Sequence, residues 1–169
     1  WQNQNTVVIG KNQNALAECR VALLESEGGR LARRSSGGGA VFHDLGNLNF
    51  TFLLPQQDYD LPRQLSVIQR ACASFGIGAV LSGRNDVVLE NTGAKFSGNA
   101  FRFSSGRALH HGTILISADL DKLSRYLAPP AHKYQSKGVA SVRARVSNLC
   151  ECNPAVTIEN MRYALADAF

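Results

Sequence analysis

At 169 residues, 44% of them hydrophobic, the chain is long enough for a domain with a substantial core, and one domain is the expectation. A formal net charge of +5 favours acidic or phosphate-bearing partners, and no apolar run approaches the roughly 20 residues that a membrane-spanning helix needs. Cys19, Cys72, Cys150 and Cys152 show no Cys-x-x-Cys and no zinc spacing, and Trp1 to Asn5 lack signal-peptide features, so a soluble protein of a reducing compartment is expected.

Thr6-Val7-Val8-Ile9 is a β-branched run stopped by Gly10. Leu16, Cys19 and Leu23 then recur at helical spacing up to Gly28-Gly29, which predicts a strand followed by one helix. Leu31-Ala32-Arg33 reads as a strand entering the stretch Arg33-Arg34-Ser35-Ser36-Gly37-Gly38-Gly39, and Ala40-Val41-Phe42-His43 as the strand leaving it. After a turn at 44–47, strict alternation puts Leu48, Phe50 and Phe52 on one face of a strand. Asp58 or Asp60 caps a helix with Pro62 in its first turn, with Leu65, Ile68, Cys72 and Phe75 on its buried stripe and Gly76 at its end. Short strands are expected at 79–81 and 86–89, with a turn at Asn91-Thr92-Gly93. The stretch 95–102 and a strand-like run at 109–116 follow. Leu120, Leu123 and Leu127 make a short helix broken by Pro129-Pro130, and 131–145 reads as a polar, basic surface loop. Thr157 caps a last helix bearing Ile158, Met161 and Leu165, whose pattern is unfinished at Phe169. Strands outnumber helices and are often adjacent in sequence, so the fold class is α+β, with a mixed, largely antiparallel sheet packed with helices. Cys19 and Cys72 fall on apolar helix faces and are expected in the core. The Cys150-x-Cys152 pair is assigned neither a metal nor a reaction.

Three consecutive glycines allow positive φ and let backbone N–H groups converge on a ligand. Arg33, Arg34, Ser35 and Ser36 add charge and hydroxyl donors suited to phosphate or carboxylate oxygens, so the stretch reads as an anion-binding loop. The competing reading, a flexible linker, fits poorly with an arginine pair on one side and an apolar strand on the other. Gly-x-Gly-x-x-Gly, the phosphate-loop motif, His-Glu-x-x-His and Gly-x-Ser-x-Gly do not occur. What remains is Gly83-Arg84-Asn85-Asp86, Lys95 with Ser97-Gly98, and His110-His111-Gly112-Thr113. A lysine beside small residues can place a compact positive charge where negative charge develops. Taken singly, these are a turn, a solvated lysine and a strand-edge histidine pair.

Taken in order, residues 33–47, 83–86, 95–102 and 110–113 resemble the lipoate-protein ligase A family of the biotin/lipoate ligase superfamily, with similarity from Thr6 through Val146. Biotin ligases share a Lys-x-x-Gly element but pattern their arginine/glycine loop differently. The resemblance implies a class II synthetase-like catalytic domain over 1–169, without the family's segment before Trp1 and without its C-terminal accessory domain. It also implies a two-step reaction. Lipoate and ATP with Mg²⁺ give lipoyl-adenylate, and an acceptor lysine then takes the lipoyl group. By similarity Lys95 is catalytic, bridging α-phosphate and acyl carbonyl. Arg34, Ser36, Gly37, Gly38 and Gly39 contact lipoyl and phosphate oxygens, and Val41 and Phe42 present backbone to the adenine. Asn85 and Asp86 lie near the nucleotide, with Asp86 a partner for Lys95 or Mg²⁺. His43, Asn47, His111 and Thr113 surround the pocket, and Gly98 leaves room for the lipoyl tail. The segment 133–137 resembles the family's closing loop. The implied partners are lipoyl domains of 2-oxoacid dehydrogenase E2 subunits and the glycine cleavage H-protein, with no nucleic acid and no membrane. The implied location is cytoplasmic in a bacterium and mitochondrial in a eukaryote.

Two rivals are weighed. A lipoyltransferase or octanoyltransferase that does not activate free lipoate would, in its acyl-cysteine form, need a thiol in these motifs, and none is there. A basic nucleic-acid-binding module would interleave aromatics with Lys and Arg, whereas Phe50 and Phe52 alternate as a buried face would.

Overall fold

β1 (Thr6–Ile9), β2 (Arg30–Arg33) and β3 (Ala40–His43) form where the β-branched and apolar runs predict them, in a computed structural model that describes residues 1–83, 85–127 and 145–169. Arg84 and the expected loop segment 133–137 lie outside the described residues. The chain divides into two compact units, Trp1–Leu45 with Ala118–Arg143, and Gly46–Ser117 with Ala144–Phe169.

In the first unit β1 is the centre of a three-stranded mixed sheet, parallel to β2 and antiparallel to β3. The single helix expected between β1 and β2 is two short ones, α1 (Ala15–Glu18) and α2 (Val21–Ser26). Cys19 between them is extended, and the Arg20 N–H donates to the Tyr126 carbonyl at 2.9 Å. A long-range contact therefore overrides the local helical period, and Leu16, expected on the apolar stripe, is 54% exposed. Val7, Ile9, Cys19, Leu24, Phe42 and Tyr126 make the core of this unit. Tyr126 closes α4 (Leu120–Tyr126), which Asp119 caps by accepting from the Lys122 N–H, and its ring meets Phe42 edge-on at 5.2 Å.

The second unit is a five-stranded antiparallel sheet in the order β4 (Asn47–Pro55), β8 (Arg107–Leu115), β7 (Lys95–Ser104), β6 (Asp86–Leu89), β5 (Ala79–Ser82). Ser105 and Gly106, both at positive φ, turn the β7–β8 hairpin as a two-residue loop requires. The helices are α3 (Leu61–Ala73), capped by Asp60 rather than Asp58, and α5 (Ile158–Ala168), capped by Thr157. They pack on one face of the sheet around Leu48, Leu65, Ile68, Cys72, Phe96, Ile114 and Met161, with Phe50 and Phe52 at its margin. Strand alternation sends Asn49, Thr51, His111 and Thr113 to the opposite face. Cys19 and Cys72 are core residues as expected, and burial pushes both thiols up to about 12. Cys150 and Cys152 are free, half-buried and exposed respectively.

Candidate functional site

In the first unit the glycine stretch is a braced loop between β2 and β3. Arg33 Nη1 donates to the carbonyls of Gly10, Lys11 and Gln13 at 2.9, 3.1 and 2.7 Å. Arg34 donates from Nη1 to Val8 O at 3.0 Å, from Nε and Nη2 to Gly37 O at 3.1 and 2.8 Å, and from Nη2 to Gly39 O at 3.0 Å. Burial pushes the Arg34 pKa below its ordinary value, and the carbonyl oxygens compensate the desolvated charge. The Arg34 side chain, expected to meet a bound anion, thus holds the loop's own carbonyls inward. The Lys11 N–H donates to Ser36 O at 2.8 Å and the Gly10 N–H to Gly39 O at 3.0 Å, and the amides of Gly37, Gly38 and Gly39 take no part in these bonds. Two glycines are required for the close approach. A Cβ on Gly10 would lie 2.0 Å from Gly38 O, and one on Gly38, at φ +96°, would lie 2.7 Å from Arg34 Nη2.

Ser36 and His43 are buried, and Asn3 Nδ2 lies 3.0 Å from His43 Nδ1. Val41 is half-buried, while the Phe42 ring is in the core of the unit, leaving only its backbone in the role the family resemblance implied. Gly10 is the residue of this loop that the sequence reading missed. A glycine directly after a β-branched run was the signal.

In the second unit Lys95 Nζ lies 2.8 Å from Asp86 Oδ1, with the two side chains 28% and 33% exposed. The register of β6 and β7 sets this pair. Asp86 faces Gly98 and Val87 faces Ser97, then a bulge puts Val88 opposite Lys95, and such an irregularity re-aims a side chain. The backbone of Lys95 is held by the segment entering from the other side, its N–H donating to Arg145 O at 2.8 Å and its carbonyl accepting from the Ser147 N–H at 3.1 Å. The lysine then lies across Gly98, where a Cβ would sit 3.2 Å from both Cε and Nζ.

Asn49, Thr113, Gly98 and Asp86 form one row across β4, β8, β7 and β6, with the Gly98 N–H donating to Thr113 Oγ1 at 3.3 Å. Thr51, His111 and Ala100 form the next. Asn47 is buried and its Nδ2 donates to Asn49 Oδ1 at 3.2 Å. The fold therefore brings Lys95, Asp86, Gly98, His111 and Thr113 together on one sheet face. It adds Asn49 and Thr51, legible only as the polar positions between Leu48, Phe50 and Phe52. Asn85 directly precedes Asp86, in the turn before β6. Its Nδ2 donates to the Asn99 carbonyl at 3.0 Å. A groove of about 760 Å³ on the helix side, lined by Phe50, Phe52, Gln64, Val67, Leu165 and Phe169 among others, includes none of the expected site residues. Among the described residues no three His, Cys, Asp or Glu side chains cluster as a metal site. Asp86 fits Mg²⁺ only as a single carboxylate on an ion that brings phosphate and water ligands with it.

An antiparallel sheet packed on two helices, with a lysine–carboxylate pair on its other face, is the α+β architecture shared with solved lipoate ligases. The chain belongs to the lipoyl protein ligase A/B catalytic domain family, whose model matches residues 1–169. It is 47% identical over 172 residues to the lipoate-protein ligase A of Blochmanniella pennsylvanica, a match covering 100% of this chain and 51% of that protein. Three solved structures are similar. P. falciparum LipL1 in complex with lipoate has a TM-score of 0.87 at 39% identity, over 100% of this chain and 47% of that one. The bi-partite lipoate protein ligase of Thermoplasma acidophilum, described with its E2 lipoyl domain, has a TM-score of 0.85 at 32% identity, over 99% and 67%. A lipoate-protein ligase A bound with ATP has a TM-score of 0.83 at 28% identity, over 99% and 68%. The chain spans about half the length of the curated relatives it matches.

Proposed function

We propose that this chain provides the catalytic part of a lipoate-protein ligase. The lipoate carboxylate attacks the α-phosphorus of ATP, the bond to pyrophosphate breaks, and lipoyl-adenylate forms. The amine of an acceptor lysine then attacks the acyl carbon, AMP leaves, the amine proton passes to solvent, and an amide remains. The observation that carries this reading is the Lys95 ammonium seated by Asp86 over the bare floor of Gly98, in a chain matched end to end by the family.

Lys95 stabilises charge on the α-phosphate and then on the acyl oxygen, an interaction of a kind worth about 2.7–4 kcal/mol per donor. Gly37, Gly38 and Gly39 offer amides to lipoyl and phosphate oxygens, with Arg34 and Ser36 holding the loop in that form. The family resemblance assigns the backbone of Val41 and Phe42 to the adenine, and it gives binding roles to His43 in the first unit and to Asn47, His111 and Thr113 in the second. Asp86 would be the single carboxylate available to a nucleotide-borne Mg²⁺, which would neutralise phosphate charge. Support for lipoate and ATP as substrates comes from the similar structures bound to each. Support for an E2 lipoyl domain as acceptor comes from the Thermoplasma pair, and the H-protein is proposed beside it. Nucleic acid and membrane are not proposed as partners. Among the described residues no helix is long and apolar enough to cross a membrane. The proposed place of action is the cytoplasm in a bacterium and the mitochondrial matrix in a eukaryote.

The test is lipoate-dependent ATP–pyrophosphate exchange by the purified chain, with Lys95→Ala abolishing it. Loss of both exchange and transfer from synthetic lipoyl-adenylate would overturn the reading, and transfer without exchange would select a transferase.

A further inference from the structure

A file of polar side chains runs through the helix side of the second unit and ends beside Asp86. His110 is fully buried on β8, its ring 5.6, 5.4 and 4.7 Å from the rings of Phe50, Phe52 and Phe101. Nε2 lies 2.8 Å from Asn99 Oδ1 and Nδ1 lies 2.9 Å from the Gln64 carboxamide. Burial holds the imidazole pKa down at about 4, so the ring is neutral near pH 7 and has one proton to give. Asn99 spends its amide group on Asn85 O at 3.0 Å, so its oxygen faces the ring and the proton sits on Nε2. The Gln64 atom at Nδ1 is Oε1, so a ring protonated on Nε2 meets a donor there only with the Gln64 amide turned end for end. Asn85 answers Asn99 through its own Nδ2, at 3.0 Å to the Asn99 carbonyl, and Asn99 N–H donates back to Asn85 O at 2.8 Å. The next residue is Asp86, and 2.8 Å from its carboxylate is Lys95.

We propose that His110 and Asn99 are positioning residues for Lys95, acting through Asn85 and Asp86; this rests on Lys95 being the reacting lysine. The surroundings argue for a directional role. Three phenyl rings and the α3 face would accept an apolar residue without the cost of burying amides and an imidazole. What apolar packing would not do is fix the height and rotation of the turn before β6, which is clamped to β7 by three hydrogen bonds at one point. β8 is shaped for the file as well, since a Cβ on Gly112 would lie 2.7 Å from Asn99 Oδ1.

The experiment measures how fast dilute acetic anhydride acylates Lys95 relative to exposed Lys11 of the same chain, read by mass spectrometry of peptides. The variants are Asp86→Ala, Asn99→Ala and the double. Each single variant is expected to raise Lys95 labelling severalfold, with the double adding nothing further, because Asn99 acts through Asp86. In the exchange assay Asn99→Ala should lower kcat about 100-fold with little change in KM for ATP or lipoate. Lys95 labelling at the wild-type rate in Asn99→Ala, or effects that multiply in the double variant, would overturn the proposal. Asn85→Ala, in a half-buried turn, removes the side-chain bond to the Asn99 carbonyl and keeps the two bonds its own backbone carbonyl accepts, so a smaller rise in labelling is expected, and unchanged labelling there would overturn the proposal equally. Labelling needs no turnover, so an enzyme that fails the exchange assay still decides this question.

Discussion

Gly98→Ala separates folding from chemistry at the proposed site. Its backbone has no positive φ to strain, and an added Cβ would meet Lys95 Cε and Nζ at 3.2 Å and Thr113 Oγ1 at 3.9 Å, with no backbone nearby. The atoms in the way are the end of a flexible side chain, which recoils by a few tenths of an ångström. The ion pair with Asp86 stretches from its 2.8 Å, but both partners are about one-third exposed, so the loss is at most about 1 kcal/mol. Replacing a strand glycine by alanine returns about 0.5–1 kcal/mol, so the stability change is near zero. The ammonium proposed to react, however, is displaced from its seat by a few tenths of an ångström; a misplacement of about 1 Å costs about 100-fold, so a fall of about 3–10-fold in kcat is expected. Thermal melting alongside exchange kinetics checks the pair of expectations. A variant with full kcat, or one whose melting temperature collapses, would show that Gly98 is not a seat for Lys95. Gly112→Ala is the contrast. Its Cβ would lie 2.6 Å from Phe50 Cζ and 2.7 Å from Asn99 Oδ1, inside packed rings, and a loss of about 1–3 kcal/mol is expected.

Gly10→Ala should distort the glycine loop, because the obstacle at 2.0 Å is the Gly38 backbone; denaturant unfolding is expected to show a loss of at least about 1–3 kcal/mol. His110 has a folded pKa of about 4 against an ordinary 6.5, so the unfolded chain binds the proton first as pH falls. Its contribution is full above pH 6.5 and is lost on acidification down to about pH 4, a decline of about 3 kcal/mol that His110→Gln should remove from urea titrations. Maleimide on native protein should label Cys152 and leave Cys19 and Cys72, whose buried thiols are held near 12, unmodified until unfolding.

Much of the architecture was legible because it is locally encoded. The β-branched run at Thr6–Ile9, the Asp60 and Thr157 caps and the stripe of Leu65, Ile68 and Cys72 each specify an element within a few residues. The break between α1 and α2 was not legible, since it depends on the Tyr126 carbonyl, more than a hundred residues along the chain. Arg34 could be read as a cation for an anion, but its geometry is set by carbonyls of Val8, Gly37 and Gly39 that only the folded loop assembles.

The residue types of the candidate site, and the family they announce, were determined by the sequence alone: Arg34 with three glycines, Asp86, Lys95 and the histidine pair. Their division of labour was decided by register. Adjacent His110 and His111 go to opposite faces of β8, one into a cage of phenyl rings and the other beside Thr113. The bulge in β7 decides that Lys95 reaches Asp86 across Gly98, and Asn99 acquires a role only when β7 meets β6 and β8. Strand pairing joins residues by hydrogen bonds across the sheet, and which face becomes buried is settled by the helices that pack on it. That information is carried by the assembled sheet and by no single stretch of the chain.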